Sequence, residues 1–455
     1  MKDKKKIIIC CALAIVIMVA GVTVGVLVDK NKTKVPEVNT TTTTTVTTTE
    51  SDKHVIGQNV DINETISNTT VEGGVAKGIC TYKDTDYIAL NDGIYTVNTQ
   101  GKKQISSQKV GCTFSIIKDR IYYSVEGELE KIPTDCVEEI GIDEWQLYEG
   151  WSMNLDGSDK KKVIDFNGSG FIVYEDENTV YYAENPGPGL YTAGIGYNLC
   201  KYDIASGETD VIDRGARYYD TDAQGEVMYE SVDSIFYFDG NIYYKNYSSD
   251  VSCTRAAVYN LKNDKVTEIT EGCAQLYLGK NGTVYMNYGE EKKATDGGHC
   301  IDEMFLASYS IDTGEITKIK SFGDYVAFKF NSDAENLYYA IDNYDEDDNI
   351  TFSVYSCNSD NEIKEVVESQ AGTALAFTYN SALNRLNFIT SKHNSQTGSS
   401  TTWVKQLENG VEKSSGEYVD GGWVLSACGR CVAVLDANDS EGNFLNYEMV
   451  VFGDL

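Results

Sequence analysis

Imidazole is scarce in this chain: His54, His299 and His393 are the only histidines among 455 residues. Serine-nucleophile chemistry on an α/β scaffold uses a Gly-x-Ser-x-Gly elbow, and none occurs. Ser310-Ile311-Asp312-Thr313-Gly314 matches the first half of a sialidase Asp-box, but Ile316-Thr317 stands where the closing Thr-Trp belongs. Sialidases also need an arginine cluster, and only six arginines are spread from Arg120 to Arg430. These residue types point away from an enzyme, and a glycan-processing hydrolase or lyase is kept as the alternative.

Two acidic stretches have the oxygen ligands that calcium prefers. One carries Asp342, Asp345, Asp347 and Asp348; the other opens with Asp220 and Asp222. The second has Ser231 at the twelfth position, where a calcium loop places Glu. Solvated loops are the ordinary use of such runs, so no cofactor is expected, with calcium the one candidate. Cys428-Gly429-Arg430-Cys431 is a CxxC. Redox pairs of this spacing open a helix, whose N-terminus lowers the thiol pKa. Here the pair brackets a Gly-Arg turn between two strand-like segments, which favours a disulfide closing a hairpin. Zinc wants a second CxxC, and there is none.

Three long insertions are the better binding candidates, because long loops in compact domains are often functional. Residues 134–148 carry Trp145, residues 185–196 carry Tyr191, and residues 289–302 carry His299. Trp151 and Tyr197 lie just beyond the first two. Gathered on one face, these aromatics offer platforms for sugar or peptide. Packing between structural units is the competing use for them.

The elements that must position these loops are repeated. An apolar residue followed by aromatics, or a close variant, starts at Ile121, Val180, Ile242, Val284, Leu337 and Leu386, in steps of 59, 62, 42, 53 and 49 residues. A period of roughly 40–60 residues marks stacked supersecondary units. Each run is preceded by a short apolar strand and a turn, as in Phe171–Tyr174 and Ile235–Phe238. It is followed by an alternating hairpin, as in 197–204 and 209–212 around Ala205-Ser206-Gly207-Glu208. Asp156-Gly157 suits a primed turn, which needs positive φ. Four prolines against 40 glycines fit many tight turns in a regular sheet protein.

The expectation is an all-β fold, a β-propeller of four-stranded blades. Seven blades are favoured, with six to eight compatible, because the C-terminal strands fall one short and residues 81–105 offer strands to close the ring. Met153-Asn154-Leu155-Asp156-Gly157-Ser158-Asp159-Lys160-Lys161 and the Tyr-Tyr strands resemble the YWTD-type and TolB-like propellers. They are more similar still to bacterial surface propellers of unknown function. No complete Tyr-Trp-Thr-Asp run occurs. The resemblance spans about residues 81–455 and implies fold, not activity.

The N-terminus is different. Residues 1–6 hold four lysines, and residues 7–28 are 22 uncharged residues, long enough to cross a bilayer core. With the lysines inside, residues 1–6 are a cytoplasmic stub, 7–28 an uncleaved signal-anchor, 29–75 a disordered Thr-rich stalk, and 76–455 an extracellular propeller on a single-pass membrane protein. A formal charge of −32 excludes nucleic acid as a partner. The reading is a non-enzymatic binding or scaffold module for a protein, peptide or cell-wall glycan, with a purely structural surface spacer as a further alternative.

Overall fold

The structure is a computed structural model. It describes residues 69–452 except 73–75, 84, 91, 99–100, 111–113, 132–143, 185–197, 214–229, 249–254, 280–281, 294–298, 323–327, 334, 345–349, 394–399, 420–422, 428–429 and 439–443. The stub, the apolar run and most of the stalk therefore lie outside the described residues. Among the described residues no helix is long and apolar enough to cross a membrane.

Thirty-two strands form eight four-stranded antiparallel sheets. In chain order, blades one to seven take their strands from 76–106, 114–166, 170–213, 230–271, 273–321, 328–371 and 373–419. Blade eight takes three strands from 423–452 and its fourth from Thr69–Glu72. Eight is the top of the expected range and one above the favoured number. The region 76–106 does not lend strands to the last blade: it forms a complete blade of its own. The closing strand is Thr69–Glu72, within the segment read as stalk, paired Thr69 to Met449 and Glu72 to Asn446. Its composition, Thr-Thr-Val-Glu, does not stand out from the threonine tract before it.

Each recurrent aromatic run is the second strand of its blade. Consecutive strand residues point to opposite faces, so one-sided burial would expose every other tyrosine. Here both are buried, because each blade is covered by a neighbour on either side. Tyr122 packs with Tyr182 between blades two and three, whereas Tyr123 packs with Tyr87 and Ile121 toward blade one. Tyr243 and Tyr244 divide in the same way, forward to blade five and back to blade three. Tyr338 and Tyr339 do so for blades seven and five. One dipeptide thus serves two interfaces.

Glycine acts where the chain bends hardest. Gly272 links the last strand of blade four to the first of blade five at φ +77°, and a Cβ there would lie 2.1 Å from the Gly289 carbonyl oxygen. Gly157 (φ +87°) sits 2.1 Å, by the same measure, from the Ile105 carbonyl oxygen of blade one. Its turn is longer than the two-residue hairpin read from Asp156-Gly157, since strands flank it only at Asn154 and Lys161. The two-residue form is found instead at Lys118-Asp119 and Asp239-Gly240, all four residues at positive φ.

Candidate functional site

First strands lie side by side around the ring channel. Connectors of one to three residues, such as Gly272, Gly372 and 167–169, lead into several of them. Strand direction alternates within each blade, so all first-to-second and third-to-fourth turns reach one face of the ring. All second-to-third connections reach the other. The three long insertions are all second-to-third connections, so the strand ends that flank them share one face, while 132–143, 185–197 and 294–298 lie outside the described residues.

That face also carries strands longer than the blades require. In blade two, Arg120–Lys131 and Glu144–Asn154 stay paired out to Lys131 opposite Glu144. In blade five, pairing reaches Lys293 opposite His299, and in blade seven, His393 opposite Ser400. First strands have four to nine residues, so these hairpins extend past them. Leu129, on the blade-two hairpin, is 60% exposed.

The expected aromatic platform is distributed as follows. Trp145 lies on that hairpin, its Nε1 donates to the Asn167 carbonyl oxygen at 3.1 Å, and its ring lies over Gly168. Trp151, further down the same strand, donates from Nε1 to Glu149 Oε2 at 2.8 Å and packs toward blade one. Both indole N–H groups are therefore used inside the protein. His299 starts the third strand of blade five. Tyr191 and Tyr197 lie outside the described residues.

Of the acidic candidates, Asp342 is placed. Its Oδ1 accepts a hydrogen bond from the Ala374 amide at 3.0 Å, tying blade six to the first strand of blade seven. Burial pushes its pKa up, against the opposing Ala374 bond. Asp345, Asp347, Asp348, Asp220 and Asp222 lie outside the described residues. Among the described residues no three His, Cys, Asp or Glu side chains are grouped to hold a metal. Cys428 is likewise outside. Cys431 pairs in register with Ser426, and the hairpin closes at Ala427 opposite Arg430. Arg430 of the expected Gly-Arg turn is thus in the strand, and residues 428–429 lie outside the described residues.

Sequence reading missed a set of buried polar residues near the hairpin-face ends of the second strands: Ser124, Glu184, Lys245, Asn287 and Thr390. Glu184 is 4% exposed; its two oxygens accept from Asn167 N at 2.9 Å and Asn167 Nδ2 at 3.1 Å. Burial raises its pKa, and the Asn167 bonds oppose that. Thr390 Oγ1 donates to the Ala371 carbonyl oxygen at 3.1 Å. Glu184, Asp342 and Thr390 thus hold connectors and first strands in place. The pattern is invisible in sequence because these positions differ chemically from blade to blade.

No family model matches the sequence, and no curated protein is similar to it. Among solved structures, it is similar to a puromycin-hydrolysing peptidase of Mycobacterium tuberculosis at 9% identity over 73% of this chain and 50% of that one, TM-score 0.40. It is similar to a prolyl endopeptidase at 9% identity over 88% and 57%, TM-score 0.47. It is also similar to the extracellular domain of BT4673 from B. thetaiotaomicron at 11% identity over 84% and 50%, TM-score 0.36. The chain spans about half the length of the chains it matches here. These are likenesses in propeller architecture at very low identity, and no activity is carried over from them.

Proposed function

We propose that this chain is a non-enzymatic binding module, held outside the cell by residues 7–28 on a threonine-rich stalk. It takes a protein, peptide or cell-wall glycan on the face that carries the long hairpins. What supports this reading is strand order, which sets the ends of the strands flanking the three insertions on one face of the ring, together with the 120–131/144–154 hairpin and its exposed Leu129. Among the described residues, buried Glu184 and half-buried Asp342 each hold a backbone amide, an arrangement of positioning groups rather than of an acid–base pair.

The test is binding of the full chain to glycan, peptidoglycan and peptide arrays, with and without calcium. Replacing residues 127–147 by an Asn-Gly turn removes the longest hairpin and keeps the pairing from Arg120 to Glu126. At least a tenfold loss of binding is expected. Unchanged binding would move the site off this face, and no binding to any array would favour the spacer reading.

A further inference from the structure

A second feature lies at the opposite end of the channel. A cavity of about 340 Å³ is walled, among the described residues, by the first strands of blades two, three and four and the turn after the first of these. Its volume falls at the lower end of the roughly 300–1,000 Å³ of small-ligand sites, which pair apolar walls with few polar groups. The walls here are Ile116, Ile117, Phe171, Val173, Ile235 and Phe236. Ser115, also in the lining, donates to the carbonyl oxygen of Ile172, another lining residue, at 3.5 Å.

One cation stands at the rim. Lys118 follows Ile117 in a positive-φ turn. Its ammonium lies 4.4 Å from the centre of the Tyr174 ring and donates to the Tyr174 hydroxyl. Tyr174 stacks on Tyr237 with ring centres 3.8 Å apart and planes 11° from parallel. The Tyr237 hydroxyl in turn accepts from the Gly240 amide at 3.2 Å. This chain of contacts fixes the ammonium of Lys118, a residue of the cavity lining. Lys83, Lys109, Lys161, Lys162, Lys201 and Lys405 each pair with a carboxylate. Among the described residues, Lys118 forms no such ion pair.

We propose that this cavity binds an apolar monocarboxylate, with its hydrocarbon or aromatic part against the first-strand side chains and its carboxylate on Lys118. A free apolar acid and the C-terminal residue of a peptide share this chemistry. The bond to Tyr174 holds the Lys118 ammonium above the usual lysine range, so the cation persists through neutral pH. The site is separate from the hairpin face, and either can fail without the other.

The experiment is calorimetric titration of the full chain in lipid nanodiscs, with empty nanodiscs as blank. The probes are butanoate, hexanoate, octanoate, 3-phenylpropanoate, the matching alcohols, and a Leu-ending pentapeptide with a free or amidated C-terminus. Affinity is expected to rise about fourfold per added CH₂ until the cavity fills, and acids are expected to bind about fivefold tighter than alcohols. Lys118→Gln should abolish the acid preference and spare alcohol binding. Ile235→Trp should fill the cavity and remove both. Tighter binding of the free acids assigns a small-molecule source; tighter binding of the free-carboxylate peptide assigns a chain terminus. Equal binding of acid and alcohol, no effect of Lys118→Gln, or no binding would overturn the proposal.

Discussion

Tyr244 shows at the residue scale how a tyrosine-rich sequence becomes a core. Its ring is fully buried between blades three and four, and its hydroxyl donates to Asp213 Oδ2 at 2.7 Å. Burial, then the Asp213 charge, push its pKa far up. Tyr244→Ala should cost about 3–5 kcal/mol and Tyr244→Phe about 1 kcal/mol in denaturant unfolding. Asp333 is the converse case. Burial alone would raise its pKa, but donors from the Tyr338 hydroxyl, the Asn336 and Glu335 amides and the Ser381 hydroxyl outweigh it, and the net shift is down. A carboxyl depressed in the fold adds stability above its unfolded pKa and loses it as pH falls through the folded value. Wild type should therefore lose more stability than Asp333→Asn as pH is lowered below about 4, measured by urea midpoints. Cys200 and Cys357 are buried, with pKa values pushed up by burial to about 12 and about 11. Both thiols should resist a thiol reagent until the protein unfolds.

At the scale of elements, legibility followed repetition. The second strands were plain because a Tyr-Tyr pair buried on both faces leaves a pattern that recurs at a blade's period. The third-to-fourth hairpins were plain because alternation and turn residues are local signals. Thr69–Glu72 was not, since four residues paired to the far end of the chain carry no local mark. The site was legible only as insertions: their meeting on one face follows from strand order, and the Trp145 contact with Asn167 follows from the next blade's connector. Lys118 and its cavity gave no signal, because the walls come from three separate blades. Deleting residues 1–75 should expose the edge of Phe444–Phe452 and lower the melting temperature by several degrees relative to deletion of residues 1–60. Aggregation should rise in the first chain and not in the second.

Across the whole molecule, blade contacts repeat with local changes, and blade seven carries a polar one. Toward blade six, blade seven offers Phe388 and Phe377. On its second strand, the position that holds the first tyrosine in blades two to six is Asn387, whose Oδ1 accepts from the fully buried Gln406. Blade seven thus carries a buried amide pair between its second and third strands. Closure itself rests on a four-residue strand donated by the opposite end of the chain. Tension applied to the chain ahead of Thr69 would enter the ring through that strand before reaching any other. The ring then has a mechanical fuse. Pulling from the N-terminal side should first detach Thr69–Glu72, giving a small early extension step in a force trace, while the remaining blades keep their strands.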